Sequence, residues 1–255
     1  MPEFTVLISN DDGVDSPFLP PLVEALAAHF RIVIAVPARE NSWIGRAMTR
    51  RGPVLCEETT VAGFPAFALG GTPTDCVNIA LSHLFAPKPD LIVSGINIGY
   101  NTTTPLIYSS GTVAAALEGA AWGLPAIAAS QALVSDVFRQ VSNREGLLSE
   151  ETKATIRASA AATAAFAVEL MDPHRPAADL VVHNLNFPFP FAGGPLVSVK
   201  PARVHRGGLF TPDADGAYHF AYHEGTPRET DQPTDLSALQ AGQANHAVLN
   251  FGSLS

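Results

Sequence analysis

The chain has 255 residues, of which 47% are apolar and 15% are charged, and its formal net charge is −9. This size and composition predict one compact α/β domain over 1–255. The acidic balance argues against stable binding to duplex nucleic acid, which needs a basic surface. The sequence shows neither an apolar run of about 18 residues nor a signal peptide, so we expect a cytoplasmic protein with no membrane partner.

Strands and helices alternate through the first half of the chain. Strands are indicated by short apolar runs and helices by apolar residues spaced three and four apart. This rhythm predicts a doubly wound, mostly parallel, Rossmann-like sheet. The predicted order is strand 5–9, helix 18–30, strand 31–36, short strands 54–57 and 66–69, helix 74–85, strand 91–94, loop 95–110, helix 112–123 and strand 126–129.

The second half is less regular. A loop or short helix is predicted over 131–149, a long alanine-rich helix over 150–171 and a further strand over 180–187. From 188 onward, repeated Pro, Gly and Asp residues interrupt short apolar pieces, which predicts an extended or hairpin arm. We therefore place the core at about 1–190 and an arm, of a kind often used in oligomer contacts, at about 191–255.

Two adjacent carboxylates, Asp11 and Asp12, follow the first apolar strand. The carboxyl ends of parallel strands open into the crevice where ligands bind, so this pair is placed to hold a metal ion or a reacting phosphate. Ser42 and Asn97 lie in loops that leave two other predicted strands. Together the four side chains offer the all-oxygen ligand set that Mg²⁺ and Mn²⁺ prefer. The alternative is helix capping by the aspartates and loop hydrogen bonding by Ser42 and Asn97.

Two predicted helices begin with small residues whose free backbone amides suit an anion. The segment Ser110, Gly111 and Thr112 opens one helix, and 70–74 opens the other. We favour the first for phosphate because it directly follows the loop that carries Asn97 and Asn101. Ser110 serving only as a helix cap is the alternative.

The loop around Ser42 is locally basic and carries an aromatic residue. Arg46 is one of four arginines there, and we expect it to steer an anionic substrate; ion pairs with nearby glutamates are the alternative. Trp43 is a candidate for stacking on a nucleobase, or alternatively for a subunit contact.

Four motifs in this order resemble the SurE family of metal-dependent nucleotidases and acid phosphatases. They are Ser-Asn-Asp-Asp-Gly at 9–13, Gly-Thr-Pro-Thr-Asp-Cys-Val at 71–77, Ser-Gly-Ile-Asn at 94–97 and Ser-Gly-Thr-Val-Ala-Ala-Ala-Leu-Glu-Gly at 110–119. The resemblance is strong over 4–130 and returns faintly at 234–242. It implies that Asp11, Asp12, Ser42 and Asn97 bind one divalent ion per subunit, Mg²⁺ or Mn²⁺, and that the chain forms a homodimer or homotetramer.

Two positions depart from the pattern of that family. Trp43 stands where a small residue usually follows the metal-binding serine, and 102–105 reads Thr-Thr-Thr-Pro in place of a stretch rich in Gly and Asp. These departures leave substrate preference open, whereas the implied metal ligands are all present.

The resulting hypothesis is phosphate release from nucleoside 5′-monophosphates, with 3′-monophosphates as further candidates. Asp11 is the expected principal metal ligand, and Asp12 orients or deprotonates the attacking water; an aspartyl-phosphate intermediate is the alternative. Ser110, Gly111, Thr112 and Asn101 are expected to hold the phosphoryl oxygens. The competing functions are a metal-dependent deacetylase, which would need histidine ligands, and a nucleotide-binding module without catalysis.

Overall fold

The computed structural model describes residues 3–172, 174 and 179–254. Thirteen strands are assigned in this part of the chain. They are β1 Thr5–Ser9, β2 Arg31–Pro37, β3 Cys56–Val61, β4 Phe64–Leu69, β5 Leu91–Ile98, β6 Ala126–Gln131, β7 Val181–Phe187, β8 Val197–Val199, β9 Val204–His205, β10 Phe210–Pro212, β11 Tyr218–Phe220, β12 Thr226–Pro227 and β13 Asn245–Asn250.

Seven α-helices accompany these strands in the same part of the chain. A π-helical turn, Ala80–Leu84, continues the second of them, and a short 3₁₀ turn covers Gly252–Leu254. The α-helices are α1 Leu19–Ala27, α2 Pro73–Ile79, α3 Thr104–Ser109, α4 Gly111–Ala121, α5 Ser135–Ser142, α6 Glu150–Leu170 and α7 Asp235–Gln240. None of the helices in the described residues is both long enough and apolar enough to cross a membrane.

Nine strands form one sheet in the order β3-β4-β2-β1-β5-β6-β7-β13-β8. The pairs from β4 through β7 are parallel, whereas β3 and β13 each run antiparallel to a neighbour. The chain builds outward from β1 in one direction and then restarts at β5 in the other. The sheet order therefore reverses between β1 and β5, and the predicted Rossmann-like α/β fold is confirmed.

Helices cover both faces of this sheet. Along β1, Val6 and Ile8 point to the layer that contains α1 and α6, while Leu7 points to the layer that contains α2 and α4. All three side chains are fully buried, because successive residues of a strand face opposite sides and both sides are covered. Each contributes about 1.5–3 kcal/mol through the apolar surface that it removes from water.

Several element boundaries differ from the predictions. The segment predicted as a loop over 95–110 contains the end of β5 and the short helix α3. The strand expected at 54–57 begins two residues later, at Cys56, whereas the segment 131–149, predicted as a loop or short helix, does contain the short helix α5. Alternation of polar and apolar residues is weak in these places, so the pattern gave little signal.

The region expected to form the arm has two structural parts. Strands β8 and β13 and helix α7 pack into or against the main sheet. Strands β10 and β11 form a small hairpin, and β9 and β12, which flank it in the chain, form a separate antiparallel pair. The final strand, β13, lies between β7 and β8 rather than at the edge. The division at about 190 and the role of the arm in assembly stay predictions.

Asp235 fastens this C-terminal region to the rest of the fold. Its buried carboxylate accepts backbone hydrogen bonds from Thr103 at 2.9 Å, Ala202 at 2.8 Å and Leu236 at 2.7 Å. Burial raises its pKa to about 6, although these donors oppose the shift. Thr103 belongs to the atypical segment 102–105, so Asp235 is the partner that holds this loop in place.

We expect Asp235→Asn to lower the free energy of unfolding by about 1–3 kcal/mol, because an amide nitrogen would then face at least one backbone donor in the interior. Urea denaturation at pH 7.5 would measure this loss. Asp231→Asn is the matched control, because Asp231 is exposed on the preceding loop. Equal stability of the two variants would contradict the role assigned to Asp235.

Candidate active site

Asp11 and Asp12 lie where the sheet order reverses, at the carboxyl end of β1. Both carboxylates are more than nine-tenths buried. Asp11 Oδ1 accepts a hydrogen bond from the Thr112 hydroxyl at 2.6 Å, and Asp12 Oδ2 accepts one from the backbone N–H of Ile98 at 2.9 Å. One carboxylate is thus oriented by α4 and the other by β5.

The electrostatics of this pair favour a bound cation. Burial raises the pKa of Asp11 to about 6, with the Thr112 hydroxyl acting in the opposite direction. Burial, reinforced by the charge of Asp11, raises the pKa of Asp12 well above its usual range. Within the described residues, neither carboxylate forms an ion pair with Lys, Arg or His. A divalent ion would supply the missing positive charge.

A bulge in β5 places Asn97 beside this pair. The pairing of β5 with β6 shifts between Ser94 and Asn97, which re-aims the side chains that follow. Gly95 makes the shift possible, because it has φ +139° and a Cβ there would lie 2.4 Å from the carbonyl oxygen of Ala129. Bulges are common next to active sites, because they change the direction in which a side chain points.

Helix α4 begins against Asp11. Ser110 caps the helix by accepting a hydrogen bond from Val113 N–H at 3.1 Å, so the capping alternative is observed, and Ser110 also lines the cavity. Gly111 packs so closely that an added Cβ would lie 2.7 Å from Cβ of Asp11. The positive end of the α4 dipole therefore points at the carboxylate pair, where an anionic substrate coordinated to a metal would also be stabilised.

Asn101 connects Thr112, the partner of Asp11, to strands β6 and β7 through hydrogen bonds. Its side-chain amide donates to Ser130 Oγ at 2.9 Å and to Thr112 Oγ1 at 3.4 Å. Its backbone N–H donates to Asn186 at 2.8 Å, and its carbonyl accepts from Asn184 at 2.8 Å. We did not single out the two asparagines of β7 from the sequence, although polar residues alternating in an otherwise apolar strand are a readable signal.

A cavity of about 500 Å³ opens in front of these residues. Asp11, Ser42, Asn97, Asn101 and Ser110 all line it, so the structure brings most of the predicted site together. Ser42 is exposed at the rim, and its backbone N–H donates to Glu40 at 2.9 Å. Trp43 lines the cavity as well.

Arg46 lies elsewhere. Its guanidinium forms an ion pair with the buried carboxylate of Glu118 and does not line the cavity. The second Glu118 oxygen accepts from Asn78 at 2.8 Å and from the indole N–H of Trp122 at 3.1 Å. Arg46 thus neutralises a buried charge on α4. It forms an ion pair, as the alternative interpretation expected, but its partner is a glutamate 72 positions away in the sequence and not one of those near Ser42.

The donor set fits a hard cation rather than zinc. In the described part of the chain, no group of three or more His, Cys, Asp or Glu side chains is placed to hold a metal. Asp11, Asp12, Ser42 and Asn97 offer carboxylate, hydroxyl and amide oxygens, which are ligands that suit Mg²⁺ and Mn²⁺. The residues present therefore fit the ion that the motifs implied.

We expect Gly111→Ala to weaken Mn²⁺ binding by about 10- to 100-fold, the range typical for disturbing the support of a metal ligand. The new methyl group would displace Asp11, and Pro73, 3.2 Å from the same position, blocks an easy adjustment. Calorimetric titration with Mn²⁺ would measure the effect. Gly208→Ala is the control, since no atom lies within 4 Å of a Cβ there. Unchanged affinity in Gly111→Ala would refute this account of the site.

Known proteins share this architecture and sequence. The family profile described as Survival protein SurE matches residues 6–209. A Geobacter sulfurreducens protein named 5′-nucleotidase SurE is 35% identical over 259 aligned residues, which cover 98% of this chain and 91% of that protein. A Deinococcus radiodurans protein of the same name is 37% identical, and the aligned residues cover 93% of this chain and 83% of that protein.

The fold agrees with the sequence comparison. The crystal structure of the SurE protein from Aquifex aeolicus superposes with a TM-score of 0.72 and 27% identity, covering 96% of this chain and 93% of that one. The resemblance that the four motifs indicated is confirmed. By its sequence, over nearly its whole length, and by its fold, the chain belongs to the SurE family.

Proposed function

We propose that this protein is a metal-dependent phosphohydrolase that releases phosphate from nucleoside 5′-monophosphates, with 3′-monophosphates as further substrates. The observation that carries the proposal is the buried pair Asp11 and Asp12, which packs against the amino end of α4. Asp11 and Ser110 both line a cavity that is large enough for a small-molecule ligand. Family relatives named 5′-nucleotidase support the same reaction.

Asp11, Asp12, Ser42 and Asn97 are the proposed ligands of one divalent ion per subunit, Mg²⁺ or Mn²⁺. When bound, such an ion lowers the pKa of a coordinated water and offsets the charge of a phosphoryl group. Thr112 keeps Asp11 oriented for this role through its hydrogen bond.

The remaining residues bind and orient the substrate. Ser110, which precedes α4, lines the cavity. We propose that its hydroxyl and the free backbone amides of Gly111 and Thr112 donate to phosphoryl oxygens. Asp12, adjacent to the principal metal ligand Asp11, is the proposed group that orients the attacking water and accepts its proton. Among the described residues, no histidine lines the cavity, and water is the proposed source of the proton for the leaving group.

The two competing functions receive less support. A deacetylase of the histidine-ligated type would need imidazole ligands, which the cavity lining does not provide. A pure nucleotide-binding module would have no use for adjacent buried carboxylates, which are costly to keep charged. We also propose a cytoplasmic homodimer or homotetramer, which rests on the family resemblance.

Metal-stripped protein assayed with nucleoside 5′- and 3′-monophosphates should release phosphate only after Mg²⁺ or Mn²⁺ is added. Asp11→Asn should lower kcat/KM by about 100-fold or more, because loss of a ligand exceeds the 10- to 100-fold effect of losing its support. Asp231→Asn, on an exposed loop, is the control. Turnover without metal, or full activity in Asp11→Asn, would rule out the proposed mechanism.

Thr112→Val should lower kcat/KM by about 10- to 100-fold while the protein stays folded, since valine has the shape of threonine but no donor for Asp11. Thr112→Ser should recover much of the activity. Thr163→Val is the matched control, because the Thr163 hydroxyl is equally buried but donates to the Ser159 carbonyl within α6. If the Thr112 and Thr163 variants behave alike, Thr112 has no special role.

A further inference from the structure

Three aromatic rings form one wall of the active-site cavity. In the sequence they are far from Asp11 and Asp12. Trp43 follows β2, whereas Phe220 and Tyr222 belong to the C-terminal region, and all three line the cavity. The Trp43 ring centroid lies 4.9 Å from that of Phe220 and 5.7 Å from that of Tyr222. Each residue is 40–48% exposed, so these rings are not part of the core.

Arg206 packs against this wall from outside the cavity. Its guanidinium carbon lies 5.6 Å from the centroid of Trp43 and 5.3 Å from that of Tyr222, within the range of cation–π contact. Nε and Nη2 of Arg206 are buried and have no hydrogen-bond partner among the described residues. The two aromatic faces therefore lie against this charge, and the guanidinium contacts both rings.

A second contact ties the wall to the catalytic end of the cavity. The Tyr222 hydroxyl lies 3.3 Å from that of Tyr100, which also donates to Glu224 at 3.2 Å. Tyr100 follows the bulged strand that carries Asn97 and itself lines the cavity. The position of the aromatic wall is thus coupled to the strand that presents the proposed metal ligand.

Other residues of the cavity lining are also apolar. Leu133 and Phe138, in and just before α5, are two of them, and Arg139 lies near them, paired with Asp136 on the same helix. The cavity lining therefore combines polar groups, such as those of Asp11 and Ser110, with apolar and aromatic side chains. A nucleoside monophosphate has the same combination, with a charged phosphate at one end and a flat, π-rich base at the other.

We propose that Trp43, Phe220 and Tyr222 form the stacking site for the nucleobase, with Arg206 as the positioning residue that keeps the site in shape. This inference rests on the proposed function and names the residues of the same cavity that recognise the base of the substrate. Because stacking tolerates any base, it predicts activity on all nucleoside monophosphates, with purines preferred for their larger faces.

The test compares nucleoside 5′-monophosphates with ribose 5-phosphate, which carries the same phosphate and sugar but no base. The ratio of kcat/KM for AMP to that for ribose 5-phosphate should fall by about 5- to 100-fold in Phe220→Ala and Tyr222→Ala, the range for losing one stacking partner. The change should appear mainly in KM. Tyr218→Ala is the matched control, because Tyr218 lies on the same strand as Phe220 but outside the cavity, and it should leave the ratio unchanged.

Arg206→Gln should lower the same ratio, and Arg206→Lys, which keeps a cation, should restore part of it. Equal losses with both substrates, or an unchanged ratio in the Phe220 and Tyr222 variants, would overturn the inference while leaving the proposed function intact.

A binding measurement tests the stacking site separately from the proposed phosphohydrolase function. Adenosine and guanosine, which have no phosphate, should quench tryptophan fluorescence in the wild type but not in Trp43→Phe. Quenching without any phosphate release from nucleotides would support the base site and contradict the proposed function. Identical quenching in the wild type and Trp43→Phe would contradict the base site.

Discussion

The structure depends on keeping two adjacent carboxylates, Asp11 and Asp12, buried at the point where the sheet order reverses. Each charge opposes the other, and burial opposes both, as their raised pKa values show. Such a pair persists only where fixed donors, a helix dipole and a cation offset the penalty. The fixed donors are the Thr112 hydroxyl and the Ile98 N–H, and the dipole is that of α4. A divalent ion would supply the cation.

This requirement explains irregular features of the neighbouring backbone. The bulge at Gly95 turns Asn97 toward the site, and Gly111 lets α4 approach Asp11 more closely than any larger residue would allow. Behind them, Asn101 links Thr112 to the asparagines of β7, so the orientation of the carboxylate is maintained through successive layers of hydrogen bonds. Buried polar networks of this kind hold their shape because each member lacks water as an alternative partner.

The C-terminal region completes the cavity from the other side. Asp235 fastens it to the segment that follows β5, and Phe220 and Tyr222 bring aromatic surface to the cavity that contains Asp11. The proposed phosphate chemistry and the proposed base recognition therefore use different parts of the chain. The first uses loops of the parallel sheet, where the four motifs lie, and the second uses Trp43 together with the C-terminal region. Binding residues are often carried by loops that a rigid scaffold positions in this way.

The α/β class and most of the helices and strands of the first half can be read from the sequence alone. The sequence also suggests the four oxygen-bearing residues that we propose as metal ligands. These are local properties, because periodicity and the position of polar residues after apolar strands can be read within a short window. The strand order, the position of β13 inside the sheet and the ion pair of Arg46 with Glu118 become visible only in the folded chain. It also brought Trp43 to Phe220 and Tyr222. Such contacts join residues far apart in the chain, and they depend on how whole layers pack, which no short window of sequence contains.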